Sequence, residues 1–215
     1  MRTIKQKIYN FDELDKEIQE RLIDENIQEQ VDMFCEWTLE TYMQEKAKEL
    51  IDNIFNIKYD INDIKVYYDL SYCQGSGAMV DFTIPLEDVN KKLKIFTEKE
   101  QKIFENYGSL IKIKHNGGNY LHENSFVIDD SNLYESIEYA LQCEEIQENK
   151  YNKLEQKIET LFNELKEIVY SDINCELKKY GYSLLEDYES FRDQTICFLE
   201  ENEYYKNGDI YNGNF

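Results

Sequence analysis

The chain has 215 residues, with 45 acidic against 24 basic side chains and a formal net charge of −21. At 41% hydrophobic and 14% aromatic content it is apolar enough to bury a core, which excludes a disordered acidic tail. Charge of that sign is repelled by duplex phosphates and by anionic lipid surfaces, so direct binding to nucleic acid or a membrane is disfavoured.

No run of about eighteen apolar residues offers a transmembrane helix, and the start MRTIKQKIYNFDELDKEI has no secretory hydrophobic core. Five cysteines (Cys35, Cys73, Cys143, Cys175 and Cys197) are odd in number and form no CxxC pair. They predict free thiols in a reducing, cytoplasmic setting. Neither histidine lies near a cysteine at zinc-ligand spacing, and no cofactor is expected.

The spacing predicts helix from Phe11 to Ile54, with Asn10 and Glu13 at the separation of a capping box and a break near Asn26. Leu14, Ile18, Leu22, Ile27, Val31, Phe34, Trp37, Leu39 and Leu50 mark its apolar face. IKVYYDLSY (64–72) and AMVDFTIP (78–85) read as strands of an antiparallel hairpin around CQGSG, ended by Pro85. Residues 86–108 read as one helix stopped at Gly108. SLIKIKH and SFVID form a second hairpin about the turn NGGN.

Beyond residue 130 the pattern is helical. Leu154, Ile158, Leu161, Leu165 and Ile168 step by fours and threes, a seam that needs a partner helix. A second helical stretch from about 171 to 204 supplies one, as an antiparallel hairpin, and a homodimer through the same seam is the alternative. The expected architecture is therefore α+β: N-terminal helices, a central, mainly antiparallel sheet of about four strands, and a long C-terminal helical hairpin. The expected segments are 1–130, 131–205 and a loose tail at 206–215.

Chemical motifs are few. Gly75 and Gly77 lie between two strands, not between a strand and a helix N-terminus, so a tight turn with glycine at positive φ is expected over a phosphate cradle. His115 and His122 fall at the tip of the second hairpin near Asn116 and Glu123, read as solvated loop residues, with a general base and its orienting carboxylate or a pair of metal ligands as the alternatives. Of the aromatics Tyr67, Tyr68, Tyr72 and Phe82, Tyr68 and Tyr72 are placed on one strand face beside Lys65, packed under a covering helix or, as the alternative, exposed to stack on bases.

Two stretches resemble a loosely defined group of small proteins from phage and prophage genomes. YNFDELDKEIQERLIDENI (9–27) is similar to that group's opening FDEL-type helix. YDLSYCQGSGAMVDF (68–82) is similar to its later strand, where an apolar run precedes Q-G-D-G-A. Ser76 stands where the group has Asp, and Met79 and Val80 also depart from it. The likeness implies a mobile-element origin; some members of the group carry antitoxin labels. Gln74, Gly75, Gly77 and Ala78 are the binding residues that carry over.

With that implication, the acid surplus reads as an inhibitor of a host nucleic-acid-binding defence complex, of the anti-CRISPR kind. Residues 11–52 hold fourteen acids against four bases, and 144–203 hold sixteen against seven. Glu155, Glu159, Glu164, Glu167, Glu200, Glu201 and Glu203 are the expected phosphate mimics, and a basic host protein or nucleoprotein the expected partner. An antitoxin-like module binding through its helical hairpin, and a small enzyme using the Gln74 loop with a histidine, are the alternatives.

Overall fold

The computed structural model describes residues 7–105, 109–129 and 131–211. It is an α+β chain with a four-stranded antiparallel sheet and a long C-terminal helix. Two compact units form: Met1–Glu40 with Ser183–Phe215 (unit 1), and Thr41–Tyr182 (unit 2). The segments 1–130 and 131–205 each divide between these units.

In unit 1, β1 (Tyr9–Asn10) leads into a 3₁₀ turn at Phe11–Glu13 and then α1 (Lys16–Trp37). The Asn10 amide donates to Glu13 Oε2 at 3.0 Å, so the expected box closes the 3₁₀ turn and not the long helix. Gln19 Nε2 donates to the carbonyls of Phe11, Asp12 and Leu14, which ties the turn to α1. The expected break at Asn26 does not occur. Asn26 Nδ2 donates to the Leu22 carbonyl four residues back, a bond made within a continuing helix. The break falls at Thr38, after which α2 (Leu39–Phe55) begins.

The other helix of unit 1 is α8 (Tyr188–Glu200), followed by β6 (Glu203–Tyr204) paired antiparallel with β1. Phe11, Leu14, Leu22, Ile23, Leu199 and Tyr204 make the core, and Phe34 meets Phe191 edge-on at 5.4 Å. Residues 206–211, expected as loose tail, are clasped. Gly208 takes φ +92°, Arg21 Nη2 donates to the Asn207 carbonyl at 2.7 Å, and the Tyr211 amide donates to the Glu203 carbonyl. Residues 212–215 lie outside the described residues.

Unit 2 is built on the sheet β2-β3-β4-β5, comprising Lys65–Asp69, Gly77–Pro85, Leu110–His115 and Phe126–Asp129. Phe82 faces Ile113 and Ile84 faces Ile111 across the central pair, all buried. In α2, Met43, Ala47, Ile51 and Phe55 form a buried stripe at steps of four.

The expected helix 86–108 is two helices, α3 (Leu86–Leu93) and α4 (Glu98–Glu105). Lys94 is left-handed at φ +56°, and buried Asn90 exchanges hydrogen bonds of 2.8 Å with both the amide and the carbonyl of Phe96. Thr97 then starts α4, its amide and hydroxyl donating to Glu100 Oε2. That is half of a T-x-x-E capping box, legible in TEKE. Gly108, the expected stop, lies outside the described residues.

After α5 (Ser131–Gln142), α6 (Glu148–Glu167) continues through π-helical turns at Ile168–Asn174 into α7 (Cys175–Leu185). The two helices expected on either side of residue 170 are thus one continuous helix, and the chain leaves helical geometry only at Glu186 and Asp187. Leu154, Ile158, Leu161, Leu165, Val169, Ile173 and Leu177 are all fully buried. From Leu161 onward this stripe steps only by four, overrunning a 3.6-residue turn by about 40° each time. The wider π turns absorb that drift. The seam is therefore closed within the chain, where α5 and α3 pack on α6.

Leu161→Ala removes a fully buried side chain and is expected to destabilise unit 2 by about 2–5 kcal/mol. Exposed Glu159→Ala should stay within about 0.5 kcal/mol. Urea unfolding midpoints measure both, and equal midpoints for the two variants contradict the assigned packing.

Candidate functional site

The loop between β2 and β3 is held by its own hydroxyls. Ser71 Oγ and Ser76 Oγ donate to Cys73 Sγ at 3.2 and 3.4 Å, and the Cys73 amide donates to Ser76 Oγ at 2.8 Å. The left-handed residue of this loop is Tyr72 at φ +57°, and neither Gly75 nor Gly77 has positive φ. Tyr72 therefore leaves the strand face expected for it and stacks on Tyr182 at 4.4 Å, while Phe82 is buried.

The glycines serve a close approach. A Cβ on Gly75 would stand 2.5 Å from the Tyr120 ring, and one on Gly77 2.2 Å from the Leu121 carbonyl oxygen. The loop thereby lies against the β4–β5 connection, where the Leu121 amide donates to the Gly75 carbonyl at 3.3 Å. In that connection Gly117 takes φ +78° and the Gly118 amide donates to Asn116 Oδ1, the turn expected from NGGN.

Cys73, Gln74, Gly75, Tyr120 and His122 line one cavity of ≈ 370 Å³. Of the carried-over residues, Gln74 and Gly75 reach this cavity; Gly77 packs on backbone and Ala78 is fully buried in β3. His122 Nδ1 is 3.7 Å from Glu123 Oε2, the carboxylate expected to orient it, and Lys178 Nζ is 2.6 Å from Glu123 Oε1. Burial works against the Glu123 charge, but Lys178 and the neighbouring donors outweigh it and hold the carboxyl below its ordinary range. Asn174, buried in the π turns, donates to the Glu123 carbonyl at 2.8 Å and so ties the long helix to this wall. His115 lies elsewhere. It ends β4, half-buried, with its ring stacked on Tyr67 at 5.3 Å and its amide donating to Asp81, so the solvated loop position expected for it is not found.

The Cys73 thiol is held below its ordinary range, first by the Ser71 hydroxyl and then by the Ser76 hydroxyl and the Gly75 amide. Burial pushes Cys35 and Cys175 up. A thiolate is the nucleophilic form of cysteine, so this arrangement favours attack from Cys73. Among the described residues, no group of three or more His, Cys, Asp or Glu side chains is arranged to hold a metal.

The expected acidic residues divide between the units. Glu155, Glu159, Glu164 and Glu167 lie on α6, which also carries Lys150, Lys153, Lys157 and Lys166. Glu200, Glu201 and Glu203 are exposed in unit 1. Among the described residues, none of the seven enters an ion pair. Unit 1 carries nineteen acids against seven bases, −12 over 73 residues; unit 2 carries −9 over 142.

The densest run lies on α1, where Glu17, Glu20, Asp24, Glu25, Glu29, Asp32 and Glu36 are all exposed. Among the described residues, only Glu20, bidentate to Arg192 at 2.8 and 3.0 Å, and Glu25, 3.6 Å from Arg21, have ion-pair partners. Several of these acids stand three or four apart, and each like-charge pair costs α1 about 0.2–0.5 kcal/mol. The acid-rich stretch 11–52 expected from the sequence contains this run, and the fold adds the acids of residues 183–215 to the same unit.

A scan against protein-family models finds no match, and comparisons with curated proteins and with solved structures likewise find none. No helix among the described residues is long and apolar enough to cross a membrane.

With its pKa lowered, Cys73 holds more thiolate at neutral pH than Cys35 or Cys175, so iodoacetamide followed by peptide mass spectrometry should label it first. Ser71→Ala with Ser76→Ala removes the two hydroxyl donors, raises the pKa and slows labelling of Cys73 toward the rate of the other two cysteines. Equal rates at the three cysteines rule the arrangement out.

Proposed function

We propose that this chain is an acidic binding protein that occupies the nucleic-acid cleft of a basic host protein or nucleoprotein complex, an inhibitor of the anti-CRISPR or general anti-defence kind. The observation that supports it is the −12 charge held on the 73 residues of unit 1. Glu17 to Glu36 spans about 28 Å at 1.5 Å per residue, one carboxylate every ~5 Å. A single nucleic-acid strand carries one phosphate every ~3.4 Å. The helix thus offers about two-thirds of a strand's charge density on a fixed scaffold, enough to displace counterions from a basic cleft but short of a duplex. Glu200, Glu201 and Glu203 extend the acidic surface of the same unit.

The test is displacement of labelled DNA from a panel of guide-loaded CRISPR effectors and other basic defence nucleases. Displacement is expected at ~50 mM salt and should weaken at least tenfold by ~200 mM. Glu17→Lys, Asp24→Lys and Glu29→Lys together should abolish it. The same reversals at Glu155, Glu159 and Glu164 should change it by less than about threefold, the scale of weak exposed charges. No displacement from any member, or displacement indifferent to salt, overturns the reading.

A second reading, a small enzyme at the Gln74 loop, draws support from the cavity shared by Cys73, Gln74 and His122. Under it, a nucleotide or divalent metal bound at about a hundred times its Kd adds about 2.7 kcal/mol of stability, visible as a rise in melting temperature. A flat melting profile across nucleotides and metals counts against it.

A further inference from the structure

The C-terminal half of α1 carries an apolar ridge that the core of unit 1 does not use. Trp37, expected on the apolar face, is 73% exposed, and Met33 one turn before it is 48% exposed. Residues three and four apart are neighbours on a helix, so Met33 stands beside Glu29, Glu36 and Trp37, with Glu36 on one flank and Trp37 on the other. Glu29 and Glu36 are exposed and, among the described residues, in no ion pair. The last turn of α1 contains no basic residue, so the negative end of the helix dipole lies beside Glu36 with no cation of its own turn to offset it.

The geometry points to a docking site for an arginine-bearing basic segment of the partner, with a guanidinium stacked on the Trp37 indole and paired to Glu36, and its aliphatic stem against Met33. This deepens the mimicry reading and rests on it for the basic partner. Charge complementarity decides the occupant. A purely apolar segment would leave Glu29, Glu36 and the helix end desolvated without a counter-charge. A second copy of this chain would bring its own acids against them. Arginine suits the ridge better than lysine, because its planar group both stacks on an aromatic face and grips a carboxylate with two hydrogens. The acids of α1 then supply long-range attraction, while Trp37 supplies the desolvated contact that interfaces concentrate in tryptophan and arginine.

Trp37 is the only tryptophan in the chain, so its emission reports on this ridge alone. The experiment titrates the full chain with an oligo-arginine peptide, an oligo-lysine peptide of equal length and an uncharged apolar peptide. Saturating oligo-arginine should shift or quench the emission and bind about threefold or more tighter than oligo-lysine, the scale of an exposed cation–π contact.

Trp37→Ala and Met33→Ala, followed by calorimetry, should erase the arginine preference with an unchanged circular dichroism spectrum; Trp37→Phe should keep part of it. The triple reversal at Glu17, Asp24 and Glu29 should weaken both basic peptides together. Equal arginine and lysine affinities, silent emission at saturation, or equal binding of the apolar peptide overturns the proposal. Emission that depends on protein concentration alone reassigns the ridge to self-association and also overturns it. DNA displacement that survives Trp37→Ala with equal peptide affinities sinks the ridge and leaves the mimicry; an arginine preference without any displacement does the reverse.

Discussion

Self-repulsion is the constraint that unit 1 has to meet. Twelve excess negative charges on 73 residues oppose compaction, and α1 has few cations to offset them. What opposes the repulsion is a small apolar core placed where the charges are not. Leu14, Leu22 and Ile23 face Leu199 and Tyr204, and the Tyr204 hydroxyl donates to the Leu199 carbonyl at 2.8 Å. Polar closures complete it: Arg192 grips Glu20 with two hydrogen bonds, and Arg21 holds the 206–211 turn. Two of the scarce cations in this unit thus serve structure, and Glu17, Asp24, Glu29, Asp32 and Glu36 have no ion-pair partner among the described residues.

In unit 2 the governing feature is the close approach of two loops. A Cβ at position 77 would collide with the Leu121 backbone carbonyl, and one at position 75 would push the Tyr120 ring aside. The same approach brings Gln74 beside His122, and the long helix reaches the opposite side of this wall through Asn174 and Lys178. A π-helical segment costs regular hydrogen bonding, and such segments recur at functional sites. Here the spacing of the buried stripe accounts for it, and the segment also delivers Asn174 to the Glu123 backbone.

Much of unit 2 was legible. Alternating apolar residues, Pro85 and NGGN marked the strands and one turn because each acts locally. The misreadings share a physical cause: the deciding partner was distant or unusual in kind. Asn26 looked like a breaker until its side chain bonded back along its own helix. The 94–97 interruption depends on Asn90 reaching Phe96. The tail reads as loose in isolation and is ordered by Arg21, some 186 residues away in the chain. At the candidate site Gln74 and Gly75 line the cavity, but the positive φ expected of the GxG pattern falls on Tyr72. The lowered thiol of Cys73 has no signature in one dimension, because the two serine hydroxyls converge on its sulfur only in the folded loop.

The two units also differ in how charge is used. On α6, lysines alternate with glutamates, and its acids add little net field. On α1 the acids run nearly uninterrupted, at a cost to the helix that its own packing has to cover. A protein that needed acidity only for solubility gains nothing from confining it, since dispersed charge serves that end with less repulsion. A confined field does serve attraction toward a basic cleft, where potentials add over a Debye length of about 8–10 Å. Attraction alone discriminates poorly among basic surfaces. An exposed tryptophan within the field adds a short-range, shape-dependent contact, and that combination separates recognition from mere electrostatic capture.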